Sequence, residues 1–111
     1  MSMKWREIIA GATLTGAPVS LFTAPDLTYE TIQQATIYNP TGAPVTFSLY
    51  KVPTGLTPIA ATLICTRAVA AGTTVTANEA INHKLEPGTQ LFASGLALTL
   101  NVSGVEYVPT T

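Results

Sequence analysis

The sequence predicts an all-β protein: an antiparallel β-sandwich preceded by an extended N-terminal arm. Three observations carry this reading. Apolar and polar residues alternate with a period of two, β-branched and aromatic residues fill the alternating runs, and Gly or Pro turn signals separate those runs at ~8–12-residue intervals. No stretch sustains the helical spacing of apolar residues beyond a single turn, such as 68–71 or 78–80.

Residues 1–25 differ from the rest. Their periodicity is weak, and Gly11, Gly16, Pro18 and Pro25 interrupt them. They read as an arm with short strands at 8–14 and 19–22, and residues 26–111 as the sandwich domain. The arm carries Trp5, Ile8, Ile9, Leu14 and Phe22, which are too apolar to leave in water. Its glycines and prolines prevent a continuous helix that would bury them locally. These five residues are therefore expected to anchor the arm on a neighbouring subunit.

The regular pattern starts after Leu27. A strand over 30–38 ends at Asn39-Pro40-Thr41-Gly42, where Pro fixes φ and Gly accepts positive φ. Val45–Val52 alternates cleanly and stops at Pro53-Thr54-Gly55. Further strands are expected over 59–69, 73–77, 81–85, 90–94, 97–103 and 105–108, the last two parted by a turn at Ser103-Gly104. The cleanest alternation, Leu96 to Val102, belongs in the centre of a sheet. The expected core is Ile32, Ile37, Val45, Phe47, Leu49, Leu63, Cys65, Val75, Leu85, Leu91, Leu98, Leu100 and Val102. Spacing alone leaves a jelly roll and an immunoglobulin-like sandwich both open.

At 111 residues the chain is of single-domain length. Only 10% of its residues are charged and its net charge is −1; a typical domain has ~25% charged residues. A surface of hydroxyls and small apolar groups resists association poorly, so much of it is expected to be covered by protein. The single cysteine permits no intrachain disulfide. The start, with Lys4, Arg6 and Glu7 before a short apolar run, does not read as a signal peptide. No stretch approaches the ~20 apolar residues of a membrane span, so no membrane partner is expected.

The residues offer little chemistry. His83 alternates with Ile81 and Leu85 and lacks an evident nucleophile, so a structural or surface role is expected. Cys65 lies in an apolar strand and reads as a small hydrophobe. One His and one Cys make no structural zinc site, and no glycine loop has phosphate-binding form, so no cofactor, metal or catalytic residue is expected. The basic residues Lys4, Arg6, Lys51, Arg67 and Lys84 are dispersed, which argues against nucleic acid and leaves Lys4 and Arg6 available to an acidic partner. The aromatic residues are more informative. Tyr29, Tyr38, Tyr50 and Tyr107 fall at strand ends or on polar faces, as a sheet rim, a protein interface or a glycan platform would have them, and Tyr38, Tyr50 and Tyr107 are the candidate contacts.

"ATIYNPTGAPVTFSLYKVPTG", "RAVAAGTTVTANEA", "KLEPGTQLFAS" and "VSGVEYV" together resemble small β-sandwich virion proteins of tailed bacteriophages, most closely the capsid decoration or cement proteins, including a staple-like kind. The resemblance spans Thr36 to Val108 and consists of turn chemistry. It implies a structural protein on the outside of the virion, made in the host cytoplasm, that bridges major capsid protein subunits. A receptor- or glycan-binding sandwich of a tail fibre or baseplate is the alternative. Open sheet edges, guarded only by Lys51, Arg67 and Lys84, further suggest a homo-oligomer, a dimer before a trimer.

Overall fold

The structure, a computed structural model, describes residues 2–109. Nine strands follow in order: β1 (Ser2–Thr13), β2 (Val19–Thr23), β3 (Tyr29–Tyr38), β4 (Val45–Val52), β5 (Leu63–Val69), β6 (Thr74–Thr76), β7 (Lys84–Leu85), β8 (Gln90–Ser94) and β9 (Thr99–Val108). Single 3₁₀ turns lie at Ala60–Thr62 and Asn78–Ala80. The pairing is nested and antiparallel: β1 with β9, β2 with β8, β3 with β6 and β7, and β4 with β5. The chain thus resembles one long hairpin wound upon itself. Cross-pairing of β9 with β3 and of β8 with β4 closes two sheets, ordered β1-β9-β3-β6 and β2-β8-β4-β5, with β7 also on β3. This order is that of a jelly roll.

Period-two alternation decides what each sheet buries. On β9, Leu100, Val102, Gly104 and Glu106 face inward while Asn101, Ser103, Val105 and Tyr107 face out. Ile32 and Ile37 of β3, Phe47 and Leu49 of β4, and Leu91 and Ala93 of β8 complete the centre of the core. Of the expected core, Val45, Leu63 and Val75 are half-buried and the other ten residues are buried. Cys65 is buried, and burial pushes its thiol up to about 11, with nearby Glu79 adding to the rise.

Three expectations are corrected among the described residues. First, residues 2–25 are not an arm. β1 and β2 supply one strand to each sheet, and Ile8, Ile9 and Leu14 are buried in the chain's own core. The sandwich without them would leave β9 and β8 as open edges, and strand pairing with the same chain fills both. The boundary at 25/26 therefore divides a single core. Second, Ser103-Gly104 is not a turn. β9 runs straight through it, because Gly104 lies where the β3 backbone comes too close for a side chain: a Cβ there would stand 1.9 Å from the Thr31 carbonyl oxygen. Third, Lys51 lies on β4, an interior strand, and guards no edge.

Candidate protein interface

One end of the first sheet inverts the usual pattern of a sandwich. Across β1, β9 and β3, the register sets Lys4, Glu106 and Glu30 in one row and Met3, Tyr107 and Tyr29 in the next. The charged row is directed to the inner side, where Glu106 and Glu30 are buried while Lys4, on the edge strand, stays largely exposed. The row of Met and two tyrosines faces solvent, and so does Trp5, opposite Val105. Trp5 is 78% exposed and Met3 66%. The Tyr29 and Tyr107 rings lie 6.3 Å apart in a tilted pair. Beside them, Met3, Lys4, Trp5, Gln33 and Val105 line a shallow groove of about 370 Å³. The groove is apolar on a face that alternation would ordinarily make polar.

Beneath this platform the inward charges pair with one another. Lys4 Nζ lies 3.2 Å from Glu106 Oε2, and Arg6 Nη1 donates to Glu106 Oε1 at 2.5 Å. Arg6 also lies 3.9 Å from Glu30 Oε2 and stacks over Phe22, 5.1 Å from the ring centroid. The Glu30 side chain has no exposed surface, and neither of its carboxylate oxygens accepts a hydrogen bond. Burial pushes Glu30 up to about 7, with Arg6 pulling the other way and Glu106 adding to the rise. For Glu106 burial acts in the same upward direction, but hydrogen bonds from Lys4 and Arg6 outweigh it and hold the group below the ordinary carboxylate range.

The eight residues singled out in the sequence do not form one site. Trp5 and Tyr107 belong to the platform, and Tyr38 lies further along the same outer face, opposite Thr99. Tyr50 is on the second sheet, opposite Phe92. Phe22 is half-buried under Arg6, while Ile8, Ile9 and Leu14 lie in the interior and are not available to anchor anything on a neighbour. Met3 and Val105 escape the sequence reading, and Tyr29, a rim tyrosine in it, is not among its candidate contacts. The signal for them was present: Met3-Lys4-Trp5-Arg6, Tyr29-Glu30 and Glu106-Tyr107 all alternate, but with the apolar member turned outward.

The remaining polar groups lie apart. Lys51 Nζ is 3.1 Å from His83 Nδ1, and burial followed by the Lys51 charge lowers the His83 pKa. Among the described residues, no three His, Cys, Asp or Glu side chains gather as metal ligands, and no helix is long and apolar enough to cross a membrane.

No family model matches the sequence, and no curated protein does either. Solved structures do match. The chain is similar to a protein of Bacillus endospore appendages, described as a novel family of disulfide-linked pili, with a TM-score of 0.57, 14% identity, and 98% of this chain and 90% of that chain covered. It is also similar to a chain of infectious bursal disease virus, Gx strain, with a TM-score of 0.47, 14% identity, and 95% of this chain covered against 32% of that one. A chain of the T13 particle of the same virus gives 0.45, at 14% identity, with 94% and 30% covered. At such identities the likeness is one of fold.

Proposed function

We propose that this chain is a structural subunit of a particle, a virion protein of a tailed phage that binds the outer shell and bridges major capsid protein subunits. It acts by static contact, with no catalytic step. The observation that carries this reading is the inverted patterning across β1, β9 and β3. Three adjacent strands turn Met3, Trp5, Tyr107 and Tyr29 to solvent while Lys4, Glu106 and Glu30 are turned inward. A contiguous apolar platform on a weakly charged protein is the mark of an interaction surface. The same platform serves self-association on the particle, with a dimer as the first assembly.

The reading is tested by quantitative mass spectrometry of purified particles. Hundreds of copies per particle fit a shell position, whereas a handful would assign the chain to a tail fibre or baseplate and favour receptor or glycan binding. Absence from particles would end the virion reading. A second reading, a filament subunit, is favoured by the likeness to the endospore appendage protein over nearly the whole length of both chains. Electron microscopy of the concentrated protein, with fibres or without, separates it from the first. Here a filament would need links other than disulfides between chains, since Cys65 is the only cysteine and is buried.

A further inference from the structure

β1 is an edge strand. It pairs with β9 on one side, and among the described residues no strand pairs with its other side. Its backbone groups on that side are a template for an added strand. The charges decide which strand can use it. Lys4 and Arg6 occupy the inward face of β1, and Lys4 keeps 65% of its side chain exposed. Arg6 Nε is buried without a hydrogen-bond partner.

A second copy fits this edge poorly. In an antiparallel β1–β1 pair with matched faces, residues directly opposite share a face. Centring the pair on residue 4, 5 or 6 sets Lys4 or Arg6 against Lys4 or Arg6, and centring it on Glu7 sets two glutamates together. The other edges offer no better match. β5 carries Arg67, β7 carries Lys84, and β2 and β6 carry no charge. The carboxylates Glu30 and Glu106 lie on interior strands. Inward cations on an edge oppose pairing with a like edge, and the same cations favour a strand of opposite sign.

We propose that the open edge of β1, over Ser2–Glu7, takes an extended segment of a different protein, with acidic side chains opposite Lys4 and Arg6 and apolar ones at the alternate positions beside Met3 and Trp5. The inference rests on the reading of the chain as an assembly subunit and adds the chemistry of the partner. The full chain is mixed with a synthetic ten-residue peptide alternating Glu and Val, or with the same peptide carrying Lys for Glu. Amide hydrogen exchange is then followed along β1. The Glu peptide is expected to protect amides within Ser2–Glu7 severalfold, less so as salt is raised, while the Lys peptide does not. Lys4→Gln, at a largely exposed side chain, should weaken the effect. No protection by the Glu peptide, equal protection by both peptides, or protection that grows with protein concentration alone would overturn the proposal; the last would seat a second copy on the edge. A chain that takes the peptide but is absent from particles defeats only the particle reading. One that is present on particles but ignores the peptide defeats only this inference.

Discussion

The side-chain amide of Asn39 donates to the main-chain carbonyl of Val69 at 2.9 Å, joining the end of β3 in one sheet to the end of β5 in the other. The same nitrogen donates to the Ala43 carbonyl at 2.8 Å, and Oδ1 accepts from the Thr41 N–H at 2.9 Å and its hydroxyl at 2.7 Å. Asn39 is fully buried, and its backbone is bonded to Thr73 and Gly72. One side chain therefore sets the geometry of two turns. Asn39→Ala leaves several polar groups short of partners and is expected to cost ~2–4 kcal/mol in urea unfolding. Asn39→Asp should be at least as damaging, because it removes both donors and aims a carboxylate at two carbonyls.

Gly104 is the second sensitive point. A methyl group there meets the Thr31 carbonyl, which is main chain in a paired strand and has little room to yield. Gly104→Ala is expected to cost ~3 kcal/mol or more by thermal or urea unfolding. If instead it stabilises, as Gly→Ala does at open strand positions, the close approach of β3 and β9 is wrong.

Removal of residues 1–14 should prevent folding. It takes away Ile8, Ile9 and Leu14, each worth ~1.5–3 kcal/mol when buried, and strips β9 of its partner. Circular dichroism and proteolysis of the truncated chain check this; a cooperative melt near that of the full chain would restore the idea of a detachable arm.

Stability should fall as pH rises from about 4.5 to neutrality. Glu30 is raised in the folded state from an ordinary 4.5 to about 7, so its contribution is full below 4.5 and is lost as pH climbs through 7. The loss is on the order of 3 kcal/mol. Glu106 is shifted the other way, so its contribution is lost as pH falls below the ordinary carboxylate range. Glu30→Gln should flatten the slope between pH 4.5 and 7 and raise the melting temperature at pH 8. An unchanged slope would mean that Glu30 does not carry the effect.

Trp5→Ser tests the platform. Trp5 is largely exposed, so stability should change by no more than ~0.5 kcal/mol. Retention on particles and self-association should both weaken. Fluorescence of the wild-type chain, in which Trp5 is the single tryptophan, should shift to the blue on assembly.

The sequence made the strands legible wherever alternation served burial. Val45–Val52 and Gln90–Ser94 have the expected bounds, because each turns one apolar side to a core and ends at a Gly or Pro turn or a Ser-Gly step. It failed where one residue served a longer-range purpose. Gly104 looked like a turn because the approach of β3, some seventy residues earlier in the chain, leaves no local trace. β1 looked like an arm because its amphipathic order is reversed over Met3–Arg6 and disturbed by irregular pairing between Glu7 and Ala12. The platform was half legible. The tyrosines stood out as rim residues, but which of them share a face depends on the register of β9 against both of its neighbours, and that is a property of the fold.

The nested pairing also governs how the molecule can be tagged. Ser2 lies opposite Val108, so the first and last strands meet side by side at the pole that carries the Trp5 platform, while the turns around Asn39 and Gly72 occupy the other pole. A fluorescent protein or affinity peptide joined next to Ser2 or Val108 would crowd the candidate contact surface. Cargo spliced into the exposed turn at Gly42, where no neighbouring atom stands within 4 Å of an added Cβ, would point away from it.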